Sequence, residues 1–281
     1  MEIRQTHLRG APCLLLSTGG ASALVALHGA QLLSWQTPDG RERLFLGERA
    51  RLDGSGAIRG GVPVIFPQFG ARGALCRHGF ARLRPWRFAG SSDGTARFEL
   101  EGEAGSAQWP HAFLARLHVT LTPQRLAIAL EVVNTGSSAF SFSAALHGYL
   151  RVDDLDAASL HGLAGLRWED SADSGAVYAG SADALRFSGE VDRIYGDLTG
   201  TLLLRDGIHA LRIGQQGFAD AVVWNPGAAL AARIDDLAEG EYRRFVCVEA
   251  AQVLRPVSLE PDACWRATQW FEPLPGGADG A

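Results

Sequence analysis

Along most of this chain apolar and polar positions alternate with the two-residue period of β-strands, and no segment keeps up the 3.6-residue stripe of an amphipathic helix. In RFELEGE (Arg97 to Glu103), Phe98 and Leu100 sit between charged neighbours. The segment RLHVTLTPQRLAIALEVVNTGSSAFSFSAALHGYL (Arg116 to Leu150) reads as three strands with turns at Thr122-Pro123-Gln124 and Asn134-Thr135-Gly136, which predicts a meander. Two further hairpins are expected, TLLLRDGIHALRI about Asp206-Gly207 and LLSWQTPDGRERLFL about Pro38-Asp39-Gly40. Helix candidates are short, GERARL (Gly47 to Leu52) and SADALRF (Ser181 to Phe187) being the best. The 34 glycines and 12 prolines are spread along the chain, as many short strands and turns require. The pattern therefore predicts an all-β fold, a large antiparallel β-sandwich with few short helices. Nothing in the composition divides the chain, so one domain over residues 1–274 is expected, with Pro275 to Ala281 (PGGADGA) as a loose tail.

Composition narrows the function. With 47% hydrophobic and 20% charged residues the chain is of ordinary globular type. A net charge of -5 argues against nucleic-acid or membrane-surface binding, which need a broadly basic face. No apolar run approaches the roughly 18 residues of a membrane span, and MEIRQTHLRGAPCLLLSTGG carries no export signal, so a soluble, cytoplasmic protein is expected. Cys13, Cys76, Cys247 and Cys264 show no C-x-x-C spacing and read as free thiols, with Cys76 and Cys264 taken as buried. The chain has no lysine, which excludes Schiff-base chemistry and a Walker-type phosphate lysine. There is no G-x-S-x-G or H-E-x-x-H motif, and the nearest approach to G-x-G-x-x-G, at Gly54, has Arg59 in its last position. His111 and His118 have the chemistry of metal ligands but read better as ordinary sheet histidines.

Three features carry candidate chemistry. In AFSFSAALHGYL, Phe140, Phe142, Ala144 and Leu146 form one apolar face, which puts His147 on the opposite face beside the small Ser141 and Ser143. A solvent-facing histidine on a half-exposed sheet fits the same pattern. In RRFVCVEAAQV, Phe245 to Val248 reads as a buried strand ending in Glu249, where desolvation would raise the carboxyl pKa toward that of a useful proton acceptor. An ion pair with an arginine would also account for it. Finally, Ile58 to Trp86 holds five arginines and no Asp or Glu in an otherwise acidic chain. Arg59 precedes Gly60-Gly61, and Arg77 and Arg82 bracket RHGFAR; glycines admit close backbone approach, and guanidinium forks suit phosphate oxygens. Arginines paired with acids elsewhere are the simpler alternative.

Taken in order, IRGGVPVIFPQFG, RHGFARLRPW, ALHGYLRV, VDRIYGD, VVWNPG and DDLAEGEYRRFVCVEAAQV resemble the successive motifs of the glucose-6-phosphate 1-epimerases, the hexose-6-phosphate mutarotase branch of the aldose 1-epimerase superfamily. The resemblance runs from about residue 20 to residue 271. It implies a galactose mutarotase-like β-sandwich with a cleft across one sheet, and interconversion of the α and β anomers of a D-hexose 6-phosphate without cofactor or metal. It further implies His147 and Glu249 as the acid/base pair, Arg59 and Arg82 as substrate-binding arginines, Asp192 as a substrate-binding acid and His78 as a sugar contact. Arg77 stands where a glutamine often precedes HGFAR, and would strengthen phosphate binding or alter which hexose fits. Gly148, Gly227 and VEAAQV are further departures that bear on substrate preference. The partner implied is a small-molecule sugar phosphate, with no nucleic acid or membrane and a monomeric state. A free-sugar aldose 1-epimerase and a non-catalytic sugar-phosphate binder are the alternative readings.

Overall fold

Period-two alternation builds two large antiparallel sheets laid face to face, flanked by a smaller one. The computed structural model describes residues 1–180 and 182–275, so the expected tail from Gly276 onward lies outside the described residues. Among the described residues, the N-terminal strands Glu2–Leu8, Ala11–Thr18, Ala21–Ala26 and Leu32–Gln36 pair in chain order as a four-stranded sheet. A nine-stranded sheet runs from Ala184–Arg186 to Arg87–Ser92, with Cys264–Leu274 and Leu126–Asn134 in its middle. The eight-stranded sheet has Val191–Tyr195, Asp220–Asn225, Phe245–Leu259 and Phe140–Leu146 as consecutive neighbours.

The core lies between the sheets. Phe142, Ala144, Leu146, Val246, Val248 and Ala250 meet Leu117, Leu130, Val132 and Phe271 in one apolar cluster. At its margin the partly buried Trp265 packs edge to face with Phe142 at 5.4 Å, a favourable aromatic geometry that adds specificity to burial. Two smaller clusters lie on the outer side of the eight-stranded sheet, one around Ile65, Phe69, Ala145, Val222 and Ala251, the other around Phe45, Tyr149, Phe245 and Cys247. That face is therefore covered at both flanks by irregular chain.

The alternation is borne out in the hairpins. Leu202–Asp206 pairs with His209–Gln216 about Asp206-Gly207, and Gly40 closes the Thr37 turn. The expected meander holds for two strands only. Phe113–Leu121 pairs with Leu126–Asn134, but Phe140–Leu146 crosses to the other sheet and pairs with Phe245–Leu259. Asn134 marks the departure: its side chain is buried, accepts from Gly136 N and donates to Ser138 O and Leu259 O, turning the chain out of the plane. Neither helix candidate is helical. Residues 47–52 form a turn, and Ala184–Arg186 is an edge strand. Each had helix-forming residues but too little length to hold a helix against available sheet partners. The one α-helix among the described residues is Gly227–Ala231, and no helix is long and apolar enough to cross a membrane. All four cysteines are free; Cys76 and Cys264 are exposed, not buried as the sequence was read to imply.

Candidate active site

Strand register sets the floor of the site. Leu146 pairs with Ala250 and Tyr149 with Cys247, the same register on either side of the irregular His147-Gly148 step, which brings His147 opposite Glu249. Cross-strand residues on one face lie within side-chain reach. His147 Nε2 is 3.2 Å from Glu249 Oε1. Val222 pairs with Glu249 on its other side, and the adjacent row of the same face runs Tyr149, Cys247, Trp224, Asp192. The strand does not end at Glu249 as the apolar run implies; it continues to Leu259, and around Glu249 the even positions Val246, Val248 and Ala250 lie in the core. Glu249 is thus a mid-strand carboxyl, 1% exposed, on the face turned away from the core.

The segment after the short strand Val64–Ile65 forms one wall. Ser143 accepts from Phe69 N, and Gln68 binds Gly70 O, Leu75 O and Leu75 N, which pins the loop over the sheet. His78 sits at φ +67° and accepts from Gly70 N through Nδ1, so its proton is on Nε2. Its ring meets His147 at 5.6 Å, edge to face. Gly60 and Gly61 have a different purpose from the one expected. A Cβ on Gly61 would lie 2.0 Å from Leu32 O, and one on Gly60 2.4 Å from Phe45 O. These glycines admit neighbouring backbone rather than ligand, and thereby deliver Arg59 to the cleft.

The five arginines divide. Arg59 pairs with Asp236 at 3.0 Å and donates from Nη1 to the Tyr149 hydroxyl, Arg72 pairs with Glu169, and Arg84 donates to Gln108. Among the described residues Arg82 donates only to Arg77 O, and its buried Nε has no partner. The Arg77 guanidinium has no ion pair or hydrogen bond among the described residues. The pairing-with-acids alternative therefore holds for Arg59 and Arg72 and fails for Arg77 and Arg82. All seven residues singled out in the sequence, His147, Glu249, Arg59, Arg77, His78, Arg82 and Asp192, line one cleft of about 570 Å³.

Burial dominates the electrostatics. It pushes the Glu249 carboxyl well above the glutamate range, helped by Asp192 and opposed by Arg82 and Arg77. It holds the His147 imidazole well below its ordinary value, with His78, Arg82 and Arg59 adding to the effect. His78 is lowered to about 3 by burial and then by Arg82, Arg77 and Arg59. Burial raises Asp192 to about 6, against the pull of Arg77. No arginine lies in ion-pair range of Glu249 among the described residues, so the ion-pair account of that carboxyl falls away. His147 is 7% exposed, not the solvent-facing histidine of the alternative reading. No grouping of three or more His, Cys, Asp or Glu among the described residues is arranged to hold a metal ion. His118 lies on the nine-stranded sheet near Glu131, and His111 packs against Trp109 and Phe140.

Tyr149, Trp224 and Asp236 escaped the sequence reading. Tyr149 continues the alternation that exposes His147, two residues on, and that signal was available. Trp224 looked like one more residue of an apolar strand. Asp236 reaches Arg59 from a distant loop, which no local pattern reveals.

With this geometry in hand, the comparisons with known proteins are specific. Residues 12–272 match the family model described as aldose 1-epimerase. A protein of Cenchrus ciliaris named "Putative glucose-6-phosphate 1-epimerase" is 33% identical over 261 residues, covering 87% of this chain and 79% of the relative. An Escherichia coli K12 protein of the same name is 34% identical over 238 residues, covering 82% and 79%. The crystal structure of a "putative mutarotase" from Salmonella typhimurium superposes with a TM-score of 0.88 at 27% identity, covering 96% of this chain and 93% of that one.

Proposed function

Because the chain belongs to the aldose 1-epimerase family and is a mutarotase of that isomerase type, we propose that its substrate is a D-hexose 6-phosphate, glucose 6-phosphate foremost, with His147 and Glu249 as the acid/base pair. The observation that carries the phosphate assignment is the pair of uncommitted guanidinium groups, Arg77 and Arg82, beside the His147–Glu249 contact in one cleft. In a protein of net charge -5, this local positive field suits a dianion.

Mutarotation needs one proton removed from the anomeric hydroxyl and one delivered to the ring oxygen. Glu249 takes the first while His147 donates the second, the C1–O5 bond breaks and the aldehyde forms. The opened sugar turns about C1–C2 and closes on its other face, returning each proton to its source. The proton count suits this cycle. Burial favours a neutral carboxyl beside a neutral imidazole in the empty cleft, and moving that one proton across the 3.2 Å contact gives the carboxylate and imidazolium that the reaction requires. Glu249 Oε2 is buried and has no partner among the described residues, so an incoming hydroxyl would supply its missing hydrogen bond. Arg77, Arg82 and Arg59 would hold the phosphate end while Asp192 and His78 orient hydroxyls, so that C1 rests over the pair. The cleft draws all these residues from one chain, in keeping with action as a monomer, and we place the enzyme in the cytoplasm with its substrate.

Exchange spectroscopy by NMR on glucose 6-phosphate, glucose and galactose tests the proposal. Accelerated exchange of the phosphorylated sugar at lower concentration than either free sugar is expected. Preference for a free sugar would assign a plain aldose 1-epimerase, and peak shifts without faster exchange would assign a binder.

A further inference from the structure

We infer that Tyr149 is the positioning residue for the His147 imidazole, its ring setting the imidazole plane while its hydroxyl separately holds Arg59. The inference rests on the reading of His147 as proton donor.

A hydrogen bond at one ring nitrogen leaves an imidazole free to pivot about that contact. In many sites the second nitrogen removes this freedom by bonding a carbonyl or carboxylate. Here His147 Nδ1 is buried and bonds no other residue among the described residues, so packing has the larger part in setting the ring plane. Among the described residues Tyr149 supplies the one parallel ring surface: it lies 4.9 Å from the His147 ring at an interplanar angle of 12°. His78 and Trp224 meet the imidazole nearly edge-on, at 75° and 77°, and box it from the sides.

Tyr149 is itself fixed. Phe245 packs at 5.1 Å and Trp224 edge-on at 6.1 Å. Its hydroxyl accepts from Arg59 Nη1 at 3.0 Å, while Arg59 Nε donates to Asp236 Oδ1 at 3.0 Å. A connected line therefore runs from Asp236 through Arg59 and Tyr149 to His147. The ring gives two separable benefits. It fixes the plane in which Nε2 presents its proton, and its electron-rich face lies where it can stabilise the imidazolium. The hydroxyl affects only how Arg59 is held.

This separation makes the test. Tyr149→Leu, which removes the ring, should lower kcat for glucose 6-phosphate exchange about tenfold or more with KM within about threefold, since the cost is misorientation of a reacting group. Tyr149→Phe, which keeps the ring, should restore kcat to within about threefold of the parent and raise KM, because Arg59 loses a charge-assisted acceptor. A leucine variant with parental kcat, or a phenylalanine variant as slow as the leucine one, overturns the inference. A second measurement does not depend on the leucine variant folding. The carbon-bound imidazole protons of His147, assigned by their loss in His147→Asn, should be shifted upfield by the tyrosine ring current in the parent and equally in Tyr149→Phe; unshifted signals overturn the inference. Full exchange in His147→Ala, which leaves Tyr149 in place, would instead overturn the underlying reading of His147.

Discussion

His147 and Glu249 are a cross-strand pair: one antiparallel register sets their side chains opposite each other on the outer face of the eight-stranded sheet, 3.2 Å apart at Nε2 and Oε1. Removing either partner removes half of the proposed proton circuit. His147→Ala and Glu249→Gln should each lower the exchange rate by about a hundredfold or more, the scale of general acid–base contributions. Near-parental exchange in Glu249→Gln, followed by NMR on folded protein, would end the acid/base assignment.

Arg77 and Arg82 make no ion-pair contact with a carboxylate among the described residues, so their loss should fall chiefly on binding. Arg82→Ala should raise KM for glucose 6-phosphate about tenfold or more, the worth of a hydrogen bond to a charged group, with a smaller effect on any exchange of free glucose. Arg77→Ala should act in the same direction. Titration with each sugar reads the difference, and equal losses on both would place these arginines outside phosphate recognition.

Asp192 should give the activity an acid limb. Its carboxyl, raised to about 6 by burial, would act as an ionised hydroxyl acceptor only above that pH, so kcat/KM should fall as pH drops through about 6. Arg77 opposes the rise, so Arg77→Ala should move this limb to higher pH. A pH–rate profile of the two proteins measures the displacement, and a limb that moves down contradicts the proposed field.

The sequence made more of the site legible than of the fold's connections. His147 follows from the alternation Phe140, Phe142, Ala144, Leu146, because a sheet buried on one face forces side chains to choose sides. Glu249 follows from an acid appearing within a buried strand. The crossing of Phe140–Leu146 to the opposite sheet was not legible, since alternation reports which face is buried and is silent on which neighbour pairs. The same limit hid the Asp236–Arg59 contact, made between segments far apart in the chain. The role given to Gly60-Gly61 was displaced for a related reason: positive φ is readable from glycine, but whether backbone or ligand occupies the vacated space is set by tertiary packing.

Those glycines are open to a stability test. Gly61 has φ +63°, and an added Cβ would meet Leu32 O at 2.0 Å. Gly61→Ala should cost about 2 kcal/mol or more, from backbone strain together with displacement of the Leu32 backbone. Chemical denaturation measures it, and an unchanged midpoint would contradict the close approach.

His78 should make the fold acid-sensitive. Its folded value of about 3 lies below the ordinary 6.5, so between these limits the unfolded chain binds a proton that the native protein does not. Stability from this group is therefore complete above pH 6.5 and lost as pH falls toward 3, with a slope of at most about 1.4 kcal/mol per pH unit. In His78→Asn, which keeps an acceptor for Gly70 N, the loss between pH 7 and 4.5 should be smaller. Denaturation curves at both pH values decide it, and identical pH dependence would exclude His78 as a source.

The first half of the strand Phe245–Leu259 serves two masters, filling the interior with Val246, Val248 and Ala250 and presenting Glu249 on the opposite face. A single inserted residue ahead of Glu249 would swing the carboxyl into grease and an aliphatic side chain into the cleft, ruining chemistry and packing together. The Arg77 and Arg82 guanidinium groups sit on the segment between Phe66 and Arg82, outside the strands of the large sheets. Variation among sugars accepted should accordingly accumulate in that loop, while the reaction itself stays locked to the weave beneath it.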